Sequence, residues 1–490
     1  MTKIRTRFAP SPTGYMHIGN LRTALYEYLV AKKEEDGVFI LRIEDTDQER
    51  LVEGATDIIK TTLEQCGLDH DEGPDVGGNY GPYVQSERMK SGIYKKYALQ
   101  LVENHKAHIC FCNQDSINEQ REIAEAKGES FKYDDPCKLL SDEEIKKRMQ
   151  TEKYVIRQNI PEEGTTSFVD EVYGEITVDN NTLDEAILLK SDGFPTYNFA
   201  NIIDDHMMDI THVVRGNEYL ASTPKYNLIY QAFDWKIPTY IHCPPVMKDE
   251  THKLSKRNGD ASFQDLVAKG FLPVAIINYI ALLGWAPETE QEIYTLDELK
   301  KAFNVKRINK NGAIFDIEKL KWVNAQHLRN MDIETYYQTV EPYISSVLTK
   351  DYDKKAIAAL LQPRISTLNE IPEMIDFFEE MPAYSTELYI KKKMKTTEEN
   401  SLANIKAAYE YFKSLNENNW NYETIHDDLL ALVKTLGIKN GQLLFPVTVA
   451  LSGKKFTPGG CMELAAIMGK EETLKRLEYS ISLLETAVNS

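Results

Sequence analysis

The hydrophobic pattern of the N-terminal segment predicts a strand, a loop, a helix and a second strand. Residues 2–8 read as a short strand, and two prolines and Gly14 then mark a loop. Leucines recur at helical spacing within residues 18–33, and residues 37–43 form an apolar run of strand length. This order of elements is typical of the start of a parallel α/β nucleotide-binding fold.

The hydrophobic pattern divides the rest of the chain into three parts. They are a polar segment, a segment with apolar runs of strand length, and a C-terminal segment with helical periodicity. Residues 83–189 are polar and rich in lysine and glutamate. Apolar runs at residues 187–190 and 211–215 indicate that the parallel sheet resumes there. Beyond about residue 320, apolar residues recur at helical spacing, which predicts an all-helical module.

These segments predict an α/β protein with a Rossmann-type, parallel-sheet catalytic domain that is split by an insertion. An all-α module is expected at the C-terminal end. The predicted boundaries are 1–82 and 190–245 for the two halves of the catalytic domain, 83–189 for the inserted domain, 246–325 for a region with a lysine-rich loop, and 326–490 for the helical module.

Composition and charge exclude several classes of protein. The content of 42% hydrophobic and 27% charged residues is that of a globular protein, and no run of about 18 apolar residues suggests a membrane-spanning helix. The N-terminal segment lacks an apolar signal core, so a cytoplasmic protein is expected. The net charge of −19 argues against binding nucleic acid through overall charge, so such binding requires a local basic face.

A first short motif, His17–Asn20, lies where the predicted loop meets the predicted helix. The N-terminus of a helix presents unpaired N–H groups and partial positive charge, which suits a nucleotide phosphate. Gly19 lets the backbone approach a nucleotide, and His17 can donate to a phosphate oxygen. On its own the motif is equally consistent with a plain turn that begins a helix.

A second motif, Lys253–Gly259, is a polar loop with Lys253 and Lys256 three residues apart. Two such lysines can both reach a pentavalent phosphate and the departing pyrophosphate, and stabilisation of charge is the main catalytic resource in nucleotidyl transfer. Alone, a lysine-rich loop is more often solvated surface. The presence of both motifs in one chain favours nucleotide chemistry.

The two motifs resemble HIGH and KMSKS, the paired signatures of the class I aminoacyl-tRNA synthetases. More narrowly, the sequence resembles the bacterial glutamyl-tRNA synthetases over essentially its whole length. Asn20 replaces the last residue of HIGH, while Leu254 and Arg257 replace two residues of KMSKS. The matching stretches are 6–19, 41–47, 190–201, 204–206, 212–216 and 253–257.

The resemblance implies ATP-dependent activation of L-glutamate, with Mg²⁺, and its transfer to the 3′-terminal ribose of tRNA(Glu) for protein synthesis. It implies that the insertion holds the tRNA acceptor end, that region 246–325 contacts the tRNA stem, and that the helical module binds the anticodon. A monomer is expected. An alternative is a non-discriminating enzyme that also charges tRNA(Gln) with glutamate.

Free glutamate carries two carboxylates and one ammonium, so a selective pocket needs two cations and an anion. Arg7 and Arg215 can each bind a carboxylate through a planar guanidinium, and Glu44 can accept from the ammonium. Each could instead have a structural role. The resemblance implies that the glutamate pocket is completed by Ala9, Ser11, Tyr197 and Asn201.

The attacking α-carboxylate is already ionised at neutral pH, so the first step requires no general base. Catalysis then consists of positioning and charge stabilisation by His17, Lys253 and Lys256, together with Mg²⁺. The resemblance implies an ATP site made of His17, Gly19, Asn20, Glu218, Lys253, Leu254, Ser255 and Lys256.

Three cysteines fall within the polar insertion. Cys110 and Cys112 form a Cys-x-Cys pair, and Cys137 follows about 25 residues later, which gives three soft ligands for one structural Zn²⁺. Tyr133, four residues before Cys137, is the candidate fourth ligand, because related proteins have that spacing. The alternative is three buried free cysteines.

The resemblance also places Arg364 in the loop that reaches the third anticodon base. An arginine there can favour C over G, because C presents acceptors on its Watson–Crick edge. Arg364 could equally bind a phosphate.

Other families fit the sequence less well. Glutaminyl-tRNA synthetases end in β-barrels, and the tRNA-modifying relatives lack the C-terminal module. A small-molecule nucleotidyltransferase would not need the helical third, and a non-catalytic paralogue would be expected to have lost a signature lysine or histidine.

Overall fold

The computed structural model describes residues 3–47, 50–126, 135–254 and 262–489. The chain forms two compact units. The first comprises Met1–Ala268 and Leu272–Ile317, and the second comprises Lys269–Phe271 and Glu318–Ser490. The predicted fold class is confirmed, because the first unit has a parallel-sheet core and the second is built of helices.

The first unit contains all of the described strands. They are β1 (Arg5–Phe8), β2 (Val38–Leu41), β3 (Ala107–Cys110), β4 (Val155–Gln158), β5 (Thr165–Asp170), β6 (Gly174–Asp179), β7 (Ile187–Leu189), β8 (His212–Gly216), β9 (Thr239–Cys243), β10 (Val246–Met247) and β11 (Ala313–Ile314). Its helices are α1 (Ile18–Lys32), α2 (Ala55–Gln65), α3 (Gln85–Met89), α4 (Ile93–Glu103), α5 (Gln114–Ala126), α6 (Asp142–Arg148), α7 (Tyr197–Met207), α8 (Thr223–Ala232), α9 (Phe263–Ala268), α10 (Pro273–Leu282) and α11 (Leu296–Ala302).

The second unit contains eight described helices, and α12 begins at the junction of the two units. They are α12 (Ile317–Asn330), α13 (Ile333–Ser345), α14 (Lys354–Leu361), α15 (Ile371–Glu379), α16 (Glu398–Ser414), α17 (Tyr422–Thr435), α18 (Asn440–Ser452) and α19 (Cys461–Val488). The sequence sets several of their starts, because Asp332, Asp353, Thr397 and Asn421 each accept a hydrogen bond from a backbone N–H of the first turn. Gly469 interrupts α19 with φ 77°, a conformation that glycine adopts without steric cost.

The parallel core of the first unit brings three strand ends to one edge. β1 pairs in parallel with β2, and β8 pairs in parallel with β9. β8 lies beside β1, since the backbone N–H of Thr211 donates to the Arg5 carbonyl (3.0 Å) and the Arg7 side chain donates to the Val214 carbonyl (3.5 Å). The last residues of both strands, Phe8 and Gly216, line the same cavity. In parallel α/β sheets, ligands bind at the carboxyl ends of the strands, which here are the ends of β1, β8 and β9.

A separate antiparallel sheet, in the order β3-β4-β7, corrects one prediction. Residues 187–190 were expected to continue the parallel sheet, but β7 pairs antiparallel with β4. That part of the prediction was wrong, because a short apolar run does not reveal which strand it pairs with. Conversely, β5 of the predicted insertion pairs in parallel with β9, and β6 follows β5 at the edge of that sheet.

Buried ion pairs tie the first unit together directly behind the strand ends. Arg42, which follows β2, is fully buried and donates to Asp205 (2.7 Å) and to Glu44 (2.8 Å). Next to it, Asp204 accepts from Arg88 (2.7 Å) and from Gln85 (2.9 Å). Because both acids lie on α7, this helix is fixed against segments distant in sequence.

No helix in the described part of the chain is both long and apolar enough to cross a membrane.

Removing the Asp204 carboxylate should destabilise the first unit. Asp204→Ala leaves Arg88 buried without its acid, and breaking a buried pair from one side costs about 3–5 kcal/mol. Urea denaturation followed by circular dichroism measures the loss. Asp184→Asn is the matched control, because Asp184 is 81% exposed where it pairs with Lys225, and a change within about 0.5 kcal/mol is expected. Equal losses for the two variants would contradict this account.

Candidate active site

A cavity of about 450 Å³ opens at the carboxyl ends of β1, β8 and β9. The residues that form it are far apart in sequence, since they range from Arg7 on β1 to Lys253 and Leu254 of the second motif. The predicted site residues that line it are Arg7, Ala9, Ser11, His17, Gly19, Asn20, Tyr197, Arg215, Glu218, Lys253 and Leu254.

Four of the residues predicted for the glutamate and ATP sites are not part of this lining. Glu44 and Asn201 are buried. Asn201 donates to the carbonyl of Tyr197 (3.0 Å) and therefore contacts a residue that lines the cavity. Ser255 and Lys256 lie outside the described residues.

The first arginine, Arg7, points from the buried strand β1 into a cluster of acids. Its Nε donates to Asp205 (2.9 Å), and its Nη1 donates to Glu27 (3.3 Å). Burial opposes ionisation of Asp205, but Arg7 and Arg42 outweigh it and keep the pKa of Asp205 below its ordinary value. Nη2 of Arg7 has no hydrogen-bond partner among the described residues.

The second arginine, Arg215, lies at the end of β8 and is held without an acid. Its Nε donates to Nε2 of His242 (3.1 Å), and its Nη2 donates to Oγ1 of Thr223 (2.9 Å). Among the described residues it forms no ion pair, and Nη1 keeps no protein partner. Arg7 and Arg215 therefore line the same cavity, and each has one guanidinium nitrogen without a hydrogen-bond partner among the described residues.

Tyr197 closes part of the wall beside these arginines. Its ring centroid lies 5.6 Å from that of Tyr219, and burial raises the pKa of Tyr197 well above its ordinary value. The phenol of Tyr197 therefore stays protonated.

His17 begins α1 by capping it. Its Nδ1 accepts from the Gly19 N–H (3.0 Å), so a neutral ring carries its proton on Nε2. A Cβ on residue 19 would lie 3.0 Å from that Nδ1, so the close approach favours glycine. The motif thus places a donor and a helix N-terminus at one side of the cavity.

Glu44 is in contact with the buried cations. Its Oε1 accepts from Arg42 and from Gln85, whereas its buried Oε2 has no hydrogen-bond partner among the described residues. Burial raises the pKa of Glu44 to about 7, although Arg42 and Arg7 oppose the rise. Near neutral pH this carboxyl therefore changes its charge.

The sequence analysis missed three residues of α1 that line the cavity: Arg22, Thr23 and Glu27. Gly19, Thr23 and Glu27 recur every four positions, so they share one face of the helix. A polar stripe on an otherwise buried helix was the signal that could have identified this face. Arg22 is a buried cation that donates to the carbonyls of Leu283 (2.7 Å) and Pro244.

The three cysteines of the insertion come together at the end of β3. The Sγ atoms of Cys110, Cys112 and Cys137 all lie within 4.8 Å of one another, and those of Cys112 and Cys137 are 3.7 Å apart. Tetrahedral Zn²⁺ with Zn–S bonds of about 2.3 Å separates its sulfur ligands by about 3.8 Å, so the three thiols fit this ion. Tyr133 lies outside the described residues.

Asp135 supports the same cluster. Its Oδ1 accepts from the Cys137 N–H (3.1 Å), and its other oxygen contacts the ring of His108. Residues that hydrogen-bond to metal ligands commonly fix the orientation of those ligands.

In the second unit, Arg364 is exposed in the loop after α14, and its Nη1 donates to the Leu360 carbonyl (2.9 Å). The rest of the guanidinium is accessible to a partner.

Comparison with known proteins agrees with this arrangement. Residues 3–322 match the family described as the catalytic domain of class I tRNA synthetases (E and Q), and residues 335–481 match an anticodon binding domain. The chain is 57% identical to a glutamate–tRNA ligase of Clostridium tetani over 488 residues, which is 99% of each chain. A glutamate–tRNA ligase of Clostridium kluyveri is also 57% identical, over 486 residues and 99% of each chain.

Solved structures give the same result. A glutamate tRNA ligase from Elizabethkingia meningosepticum, in complex with its amino acid, superimposes with a TM-score of 0.89 at 35% identity, covering 98% of this chain and 100% of that one. The fold and cavity thus define a class I tRNA synthetase. Within that class, the chain belongs to the glutamate–tRNA ligase family, which confirms the resemblance identified in the sequence.

The raised pKa of Glu44 predicts a pH dependence of glutamate use. In the predicted role of Glu44 as acceptor for the substrate ammonium, only the ionised carboxyl attracts that ammonium. With a pKa of about 7, the ionised fraction of Glu44 falls as the pH decreases from 8 to 6. The kcat/KM for glutamate, which reports groups of the free enzyme, should fall by about tenfold over that range. The Glu44→Gln variant should have a low kcat/KM without this dependence. A flat profile for the unmodified enzyme would contradict the prediction.

Proposed function

We propose that the protein forms glutamyl-tRNA(Glu) in two steps at the cavity between His17, Arg7 and Arg215. The observation that carries this assignment is the pair of arginines, each with one unengaged nitrogen, at the carboxyl edge of a parallel sheet. Two separate cations match the two carboxylates of glutamate, and Glu44 supplies the anion for its ammonium.

In the first step, an oxygen of the α-carboxylate attacks the α-phosphorus of ATP, and the bond to pyrophosphate breaks. Arg7 and Arg215 hold the amino acid, while the N-terminus of α1 and His17 Nε2 receive the phosphates. Lys253 at the cavity and Lys256 in the same loop stabilise the charge that develops on the leaving pyrophosphate. Mg²⁺ bound with ATP neutralises phosphate charge.

The remaining residues predicted to bind ATP are Gly19, Asn20, Glu218, Leu254 and Ser255. Gly19, Asn20, Glu218 and Leu254 line the same cavity, and Ser255 follows Leu254 in the sequence.

In the second step, a hydroxyl of the terminal ribose of tRNA attacks the carbonyl carbon of glutamyl-adenylate, and AMP leaves. The predicted insertion 83–189 holds the acceptor end, region 246–325 contacts the stem, and the helices of 326–490 bind the anticodon. Exposed Arg364 is assigned to the third anticodon base. The relatives are glutamate–tRNA ligases, and the comparisons give no support to the alternative that tRNA(Gln) is also charged.

We further assign one structural Zn²⁺ to Cys110, Cys112 and Cys137, with Tyr133 as the fourth ligand. The distances between the described thiols support this assignment. The protein is expected to act as a monomer in the cytoplasm, where tRNA and ATP are available.

Charging assays test the proposed function. With ATP and Mg²⁺, the purified protein should attach labelled glutamate to tRNA(Glu), and should attach neither glutamate to tRNA(Gln) nor glutamine to either tRNA. Acid-precipitable label measures each product. Attachment of glutamine, or no attachment of glutamate to tRNA(Glu), would overturn the proposal, while glutamate on tRNA(Gln) would overturn the assigned specificity.

Replacement of one cysteine tests the metal site. Cys137→Ser should lower the zinc content, measured by atomic emission, from about one per chain to well below half, because a serine hydroxyl is a poor ligand for this ion. Cys66→Ser is the matched control, since Cys66 is buried elsewhere in the same unit and should not change the zinc content. Equal zinc in all three proteins would count against the assignment.

A further inference from the structure

Arg215 is a buried cation at the end of β8 that is surrounded by neutral groups. Its guanidinium carbon lies 4.8 Å from the ring centroid of Tyr226, 5.2 Å from that of Tyr219 and 5.4 Å from that of Tyr240. Aromatic faces attract a cation without removing its charge. The hydrogen bonds to His242 and Thr223 therefore decide how this guanidinium is oriented.

His242 in turn contacts an acid that is buried behind it. Its Nδ1 lies 2.7 Å from Oδ2 of Asp170, and both side chains are completely buried. An arginine has only donors, so Nε2 of His242 must accept from Arg215. The single proton of the neutral ring then lies on Nδ1 and is donated to Asp170.

The interposed ring has an electrostatic consequence. Arg7 contacts Asp205 and Glu27 directly, whereas the acid nearest to Arg215 along this chain of hydrogen bonds is separated from it by an imidazole. A carboxylate in direct contact with Arg215 would compete with the substrate carboxylate for the same charge. Burial lowers the pKa of His242, although Asp170 opposes the shift, so the ring remains neutral near pH 7.

We propose that His242 and Asp170 are positioning residues for recognition of the substrate carboxylate. Asp170 selects the tautomer of His242, and His242 turns Arg215 so that its Nη1 faces the cavity with its charge uncompensated. This inference rests on the proposed function, in which Arg215 binds glutamate.

Asp170 also has a structural task, which makes His242 the better residue to change. Oδ1 of Asp170 accepts from the backbone N–H groups of Val172 (2.9 Å) and Tyr173 (2.8 Å), which closes the turn between β5 and β6. Oδ2 also accepts from the backbone N–H of His242 (3.1 Å). Replacement of Asp170 would therefore disturb the turn as well as the imidazole.

Two amide variants of His242 separate positioning from folding. In His242→Gln, the side-chain oxygen reaches the position of Nε2 and can still accept from Arg215. In His242→Asn, the shorter amide reaches only Asp170. The KM for glutamate should rise by about tenfold or more in the Asn variant and stay within about threefold of the unmodified enzyme in the Gln variant, with the KM for ATP unchanged in both.

Two further variants calibrate this comparison in the charging assay with tRNA(Glu). Arg215→Lys should raise the KM for glutamate, because an ammonium cannot reproduce the planar guanidinium. His212→Gln is the matched control, since His212 lies on the same strand but does not line the cavity, and no change is expected.

The outcomes distinguish the inference from the function on which it rests. Equal KM values for glutamate in the Asn and Gln variants, with a raised value in Arg215→Lys, would overturn the positioning role and leave Arg215 as the carboxylate ligand. An unchanged KM in Arg215→Lys would remove both assignments. A raised KM for ATP in the Asn variant would also overturn the inference, because it would indicate general damage to the cavity.

Discussion

The site depends on keeping positive charge buried without cancelling it. A pocket for a dicarboxylic amino acid needs cations at its floor, and a buried cation is costly unless it is paired or hydrogen-bonded. An acid in direct contact lowers that cost, but it also weakens the attraction for the substrate. The surroundings of Arg7 and of Arg215 both lower the cost of burying the cation while leaving positive charge to attract the substrate.

The two arginines are stabilised in the protein interior in different ways. Arg7 shares Asp205 with Arg42 and also contacts Glu27, but burial raises the pKa of Glu27 well above its ordinary value and so favours the uncharged form of that acid. Arg215 has no acid in contact among the described residues and relies on His242, Thr223 and three tyrosine rings. Because Asp205 lies on α7 and Arg42 follows β2, the charge network also holds the strand ends together around the cavity.

Local sequence patterns were sufficient to predict the fold class, and the family resemblance supplied most of the predicted residues of the cavity. The helix at residues 18–33 and the strands at 37–43 and 211–215 were predicted within a few residues, because each carries a clear period or a loop signal. Arg7 and Arg215 were both predicted to bind carboxylates, and both line the cavity. Eleven of the predicted site residues line one cavity, although their individual roles stay predictions.

What the sequence did not reveal depends on contacts between distant segments. The pairing of β7 with β4 and the placement of Asp170 against His242, which lie 72 residues apart, have no local signature. The polar face of α1 was present in the sequence, but its meaning required the cavity. Glu44 was expected in the pocket and lies buried beside Arg42, which only the packing of the first unit determines.

A crystal structure of the protein with bound glutamate tests the central claim most directly. The account predicts that the two carboxylates of glutamate contact Nη2 of Arg7 and Nη1 of Arg215, with the hydrogen bond from Arg215 to His242 retained. Glutamate bound with its carboxylates away from these two nitrogens, or an Arg215 that turns from His242 to bind it, would contradict the account.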